Sequence, residues 1–148
     1  MKIGHVHLKI RDLKKSIDFY QKYLGMEITE QLTDFFAFLS AGEMHHELAL
    51  QEVGEHAVTP QRHHLGLYHV AFEVPDREAL SEIYKKLKEG GIAVQPTDHR
   101  ISWALYFSDP DGNGIEVYWD TRNTEHGVNL WEGIDRTLPE DLLNNLQK

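Results

Sequence analysis

His5, His69 and Glu116 are the residues of this sequence whose types and positions suit them best to chemistry. Two imidazoles and one carboxylate make a facial donor set for a divalent metal, and such a set leaves coordination positions open for a ligand to be activated. Cysteine is absent, so thiolate nucleophiles, disulfides and sulfur-ligated metals are excluded, and any metal must bind through nitrogen and oxygen. Histidine occurs 10 times, so abundance carries little weight. The competing reading is of isolated histidines satisfied by local hydrogen bonds, and position has to decide between the two.

Position favours the metal. Ile3-Gly4-His5-Val6-His7-Leu8-Lys9-Ile10-Arg11-Asp12 matches Leu67-Tyr68-His69-Val70-Ala71-Phe72-Glu73-Val74-Pro75-Asp76 in a His-Val pair, three alternate apolar positions and a closing aspartate. The same offset pairs Tyr20 with Tyr84, which is the pattern of an internal duplication. Successive side chains of a strand face opposite sides. Val6, Leu8 and Ile10 therefore share one face and His5 and His7 the other, while Val70, Phe72 and Val74 oppose His69, Ala71 and Glu73. In the last strand Ile115, Val117 and Trp119 form the apolar set and leave Glu116 and Tyr118 opposite, with Tyr106 at the polar parity one strand earlier. The apolar faces must lie under helices, so the three candidate metal ligands share a helix-free type of face.

The elements that position these residues follow from the same repeat. Asp12 and Asp76 are natural N-caps, and the helices after them carry apolar residues at Leu13, Ile17, Tyr20 and Leu24, and at Leu80, Ile83, Tyr84 and Leu87. Glycine ends each helix, Gly25 in one and Gly90-Gly91 in the other. Strands are predicted over Met26 to Glu30, Phe35 to Ser40 and Glu47 to Val53, then over Ile92 to Gln95, Trp103 to Phe107 and Gly114 to Trp119. Ser108-Asp109-Pro110-Asp111-Gly112-Asn113-Gly114 is a hairpin turn. Residues from about Gly54 to Gly66 read as a polar linker, and the tail after Asp120 as irregular until a helix near Thr137 or Pro139. The predicted fold is α+β: two tandem βαβββ units forming a cupped, partly closed mixed β-sheet around a metal site, with helices outside. One domain of residues 1–148 is expected, with units at 1–55 and 66–120 and an extension at 121–148 carrying a short helix.

Bulk properties narrow the partners. A net charge of −9 argues against nucleic acid and against an anionic membrane surface, and no apolar run approaches the roughly 20 residues of a membrane span. The N-terminus enters a strand pattern directly, so a cytoplasmic protein acting on small molecules is expected.

Beyond these readings, the residues carry a resemblance. His5-Val6, Asp12-Leu13, Phe19-Tyr20, Leu24-Gly25, Tyr68-His69-Val70-Ala71-Phe72 and the run from Tyr106 through Asp109-Pro110-Asp111-Gly112-Asn113-Gly114-Ile115-Glu116 resemble the vicinal oxygen chelate superfamily across about residues 3 to 120. That superfamily groups glyoxalase I, extradiol dioxygenases, and fosfomycin- and bleomycin-resistance proteins. Three segments look like its catechol 2,3-dioxygenase branch: Phe38-Leu39-Ser40 through His45-His46-Glu47-Leu48-Ala49-Leu50, Asp98-His99-Arg100-Ile101-Ser102, and Leu105-Tyr106-Phe107.

The resemblance implies an extradiol ring-cleaving dioxygenase of aromatic catabolism that binds a small aromatic diol and O2 at Fe(II), with Mn(II), Zn(II) and Ni(II) as alternative metals. It further implies His46 as the acid-base residue, with Tyr106 and His99 hydrogen bonding to substrate oxygens. Members of that branch usually carry two such modules, so a homodimer is expected to supply the missing pocket wall. Strand alternation at Leu48 and Leu50 points instead to Glu47 on the cleft side, in register with Glu116 between the copies. A glutamate there is a fourth ligand in glyoxalase I, which leaves a Zn or Ni lyase or isomerase as the alternative. A non-catalytic resistance protein that binds a small molecule is another.

Overall fold

The computed structural model describes residues 1–61 and 63–144. One position of the expected linker and the last four residues of the expected C-terminal extension lie outside them. The chain divides into two compact units, Met1–Gly66 together with Asp109–Asn113, and Leu67–Ser108 together with the chain from Gly114 onward.

The first unit runs β1 (Val6–Ile10), α1 (Leu13–Leu24), β2 (Glu27–Thr33), β3 (Phe36–Ser40) and β4 (Leu48–Glu52), a βαβββ order. Its sheet is β1-β4-β3-β2, with β1 parallel to β4 and the other pairs antiparallel. Alternation sets the buried face: Leu8 and Ile10 on β1 and Leu48 and Leu50 on β4 are buried, and α1 packs on β4. Each such side chain contributes about 1.5–3 kcal/mol by leaving water. Asp12 caps α1 as expected, Oδ1 accepting from Lys15 N at 2.8 Å, and Glu52 accepts from Leu13 N at 2.8 Å. At the other end Gly25 takes φ +64°, a left-handed conformation that side chains with a Cβ resist.

The second unit repeats the order with β5 (Val70–Val74), α2 (Arg77–Glu89), β6 (Gln95–Asp98), β7 (Ser102–Ser108) and β8 (Gly114–Asp120), then adds β9 (Arg136–Thr137) and α3 (Asp141–Asn144). The sheet is β5-β8-β7-β6-β9, with β5 parallel to β8. Asp76 Oδ1 accepts from Ala79 N at 2.8 Å to start α2, which packs on β5, β7 and β8. Fold class and repeat thus stand as the sequence predicts: α+β, with two open mixed sheets of four and five strands. Among the described residues no helix is long and apolar enough to cross a membrane.

Several boundaries differ, and β2 runs on to Thr33 where the expected strand ends at Glu30. The strand expected at Ile92 to Gln95 begins only at Gln95, because Gly91 N bonds Lys88 O and Ile92 N bonds Leu87 O to close the helix end. The tail is not irregular throughout, since Arg136 and Thr137 pair with Asp98 and Thr97. The last helix starts at Asp141, beyond Thr137 and Pro139.

Candidate functional site

The second unit brings two of the expected ligands together. His69 precedes β5 and Glu116 lies on β8, where the parallel register sets Ala71 opposite Glu116. His69 Nε2 and Glu116 Oε2 are 2.9 Å apart. Glycine makes this approach possible: a Cβ on Gly114 would stand 2.1 Å from Tyr68 O and 3.2 Å from His69 Cβ. Glu116 is 8% exposed, a degree of burial that a carboxylate tolerates only with partners.

Tyr106 is the antiparallel partner of Glu116 across β7 and β8. Burial, then the charge of Glu116 and its hydrogen bond, push the Tyr106 phenol well above its ordinary range. The same hydroxyl lies 2.8 Å from His99 Nε2. His69, Glu116, Tyr106 and His99 therefore form a continuous polar chain within one unit.

His5 and His46 meet in the first unit. His5 lies just before β1 and His46 just before β4, and since these strands are parallel neighbours their rings sit 4.6 Å apart between centroids. His46 stacks on Phe38 at 4.1 Å, its Nδ1 lies 2.8 Å from His45 Nδ1, and its Nε2 is buried without a hydrogen-bond partner among the described residues. Burial, then the neighbouring His5 and His45, hold the His46 pKa below its ordinary value.

The conflict between His46 and Glu47 takes a definite form. The strand starts at Leu48, so Glu47 precedes it, and Glu47 Oε2 accepts from Ala41 N at 3.0 Å. His7 rests edge-on against Phe36 with centroids 5.2 Å apart, and Tyr118 donates to Glu73 Oε2 at 3.0 Å. Within neither unit by itself do three or more His, Asp or Glu side chains among the described residues close on one point. The donor chemistry nonetheless fits a divalent ion: a buried carboxylate against an imidazole supplies one oxygen and one nitrogen, and a further imidazole completes a facial set. Sequence reasoning missed Asp135 and Trp131, which reach His99 from the tail; Asp135 Oδ1 lies 2.5 Å from His99 Nδ1.

The model of the Glyoxalase/Bleomycin resistance protein/Dioxygenase superfamily matches residues 2–117. The chain belongs to that superfamily. Among curated superfamily relatives, a catechol-2,3-dioxygenase of Bacillus subtilis (strain 168) is 44% identical over 118 residues, 80% of this chain and 41% of that protein. The chain thus spans about two-fifths of that relative's length. A biphenyl-2,3-diol 1,2-dioxygenase 3 of Rhodococcus globerulus is 31% identical over 92% of this chain and 73% of its own length. Among solved structures, a glyoxylase/bleomycin resistance protein/dioxygenase domain from Frankia sp. EAN1pec has a TM-score of 0.67 at 25% identity, covering 81% of this chain and 98% of that one. Superfamily membership implies a metal cofactor and an enzyme or a binding protein, and dioxygenases are prominent among the relatives.

Proposed function

We propose that this superfamily member is an extradiol-type dioxygenase that opens the ring of a catechol-like aromatic with O2, using Fe(II) held by His5, His69 and Glu116. His46 carries the reading. Its Nε2 is buried beside His5 and has no hydrogen-bond partner among the described residues, an arrangement that costs free energy unless a ligand fills it. A depressed pKa keeps the ring neutral near pH 7 and able to accept a proton.

When bound, the iron supplies the charge that acidifies a diol hydroxyl and an open position for O2. The chain's own residues do the rest. His46 Nε2 takes the proton released by the substrate hydroxyl and returns it to the product. Tyr106 presents its phenol to a substrate oxygen, and His99, hydrogen bonded to that phenol, acts on the substrate through it. Phe38, stacked on His46, holds that ring and keeps water off its face.

A second reading, a glyoxalase I-like lyase with Glu47 as fourth ligand to Zn or Ni, draws on the alternation of Leu48 and Leu50, both buried on β4. The backbone bond from Ala41 N to Glu47 Oε2 speaks against it, because that carboxylate already serves its own loop. Anaerobic reconstitution with Fe(II), followed by a catechol panel in air, tests the proposal. Oxygen uptake with a yellow ring-opened product is expected. Inertness across the panel with turnover of a hemithioacetal would overturn it in favour of the lyase, and ligand binding without turnover in favour of a resistance-type binding protein.

A further inference from the structure

The segment beyond the superfamily match holds His99 in one orientation. Antiparallel pairing of β6 with β9 sets Thr97 opposite Thr137 and Asp98 opposite Arg136, so the next pair in that register is His99 with Asp135. Asp135 Oδ1 meets His99 Nδ1 there, and Trp131 Nε1 donates to the same oxygen at 2.8 Å. The Trp131 ring stands edge-on to His99 with centroids 6.3 Å apart.

The loop after β6 is tied down at every residue. Arg100 holds φ +68°, an unusual conformation for a residue with a side chain, and Glu132, which pairs with its guanidinium, holds φ +56°. Arg100 N donates to Asp98 Oδ1 at 2.7 Å, and Val128 N donates to Arg100 O at 2.8 Å. His99 N donates to Ser102 O, and Thr121 N to Ile101 O. Strain of this kind persists only where the surroundings over-determine it. What it sets here is the direction of one imidazole, whose side chain is only 16% exposed.

We infer that Asp135 is a positioning residue that fixes the Nδ1–H tautomer of His99, so that Nε2 faces Tyr106 as an acceptor. The chemistry is a matter of counting donors. An ionised carboxylate only accepts, so the nitrogen facing it must carry the proton. In the neutral ring the other nitrogen then holds a lone pair, and which nitrogen is protonated is set by the bond the other side makes. Tyr106 OH, 2.8 Å from Nε2, donates to it. Trp131 supports this by holding Asp135 in place from the other side.

The tautomer stands on this structure alone, whereas its consequence for turnover rests on the ring-cleavage reading. The test separates the two. Nitrogen NMR of 15N-histidine-labelled full-length protein, with the His99 signals assigned through His99→Gln, is expected to show a protonated Nδ1 in the wild type. In Asp135→Asn, whose amide can donate to Nδ1, an Nε2–H population is expected to appear. With Fe(II) and a catechol, kcat of that variant should fall about tenfold or more while KM moves by less than about threefold, and Asp135→Glu should recover part of the loss. Trp131→Phe, which frees Asp135 without altering its charge, should move both readouts the same way by less, and it serves where Asp135→Asn does not fold. A His99 tautomer unchanged in both variants would overturn the inference. A wild type that shows the Nδ1–H signature and turns over no catechol would instead sink the ring-cleavage reading and leave the positioning role intact.

Discussion

His69 Nε2 and Glu116 Oε2 lie 2.9 Å apart because Gly114 lets β8 begin directly against the backbone of Tyr68. Gly114→Ala would set a Cβ 2.1 Å from Tyr68 O, which forces β5 and β8 apart beside the His69–Glu116 pair. The variant is expected to lose about 2 kcal/mol or more of stability and at least about tenfold in metal affinity. Thermal unfolding and metal titration measure the two effects, and an unchanged metal affinity would disconnect this pair from the ion.

His46 and Glu47 separate the two enzymatic readings. His46→Ala is expected to keep its metal and lose turnover by about 100-fold or more, the contribution of a positioned acid-base group. Glu47→Gln should keep both metal and turnover, weakening only the bond from Ala41 N, which the amide oxygen still accepts, at a cost of no more than about 1 kcal/mol of stability. Metal analysis beside oxygen uptake checks both variants. Loss of metal in Glu47→Gln would establish the four-ligand site.

Tyr20 fastens α1 to the hairpin turn. Its hydroxyl donates to Asp109 Oδ2 at 3.0 Å, and both residues are buried. Asp109 in turn accepts from Asp111 N, Asn113 N and Asn113 Nδ2. Tyr20→Phe should cost about 1–2 kcal/mol in denaturant unfolding, since the carboxylate loses one partner and keeps three. Burial, then the charge of Asp109, raises the Tyr20 pKa far above its ordinary value. A raised folded pKa gives a contribution fully present below the unfolded value of about 10 and lost as the pH climbs toward the folded one. Wild-type stability should therefore decline above about pH 10, and less steeply in Tyr20→Phe.

Asp135 predicts an effect at the other end of the pH scale. Its hydrogen bond to His99, then that to Trp131, holds its pKa below the ordinary carboxylate value. A depressed folded pKa contributes stability above the unfolded value of about 3.9 that disappears as the pH falls through the folded one. The tail around Trp131 should accordingly loosen below about pH 4, seen as a change in tryptophan fluorescence that Trp131→Phe removes. Fluorescence independent of pH in that range would refute the assignment.

Much of this was legible in the residues because it follows from short-range rules. The duplication, the two Asp-capped helices, the glycine ends, the hairpin turn and the parity that sets Glu116 beside His69 all depend on periods of two or 3.6 and on single-residue backbone preferences. Those rules act over a few positions, so one sequence contains them in full. The start of β4 does not follow from them. Leu48 and Leu50 fix the parity of a strand but not where it begins, and it was the backbone of Ala41 that drew the Glu47 carboxylate into its own loop and left His46 beside His5. The two-residue β9 is too short to have a period at all, and Asp135 reaches His99 only through pairing across a long stretch of chain. Local pattern thus determined the elements and the types of residue on each face. Which side chains meet was decided by register and strand ends, whose energies come from distant partners and leave no mark in the neighbouring sequence.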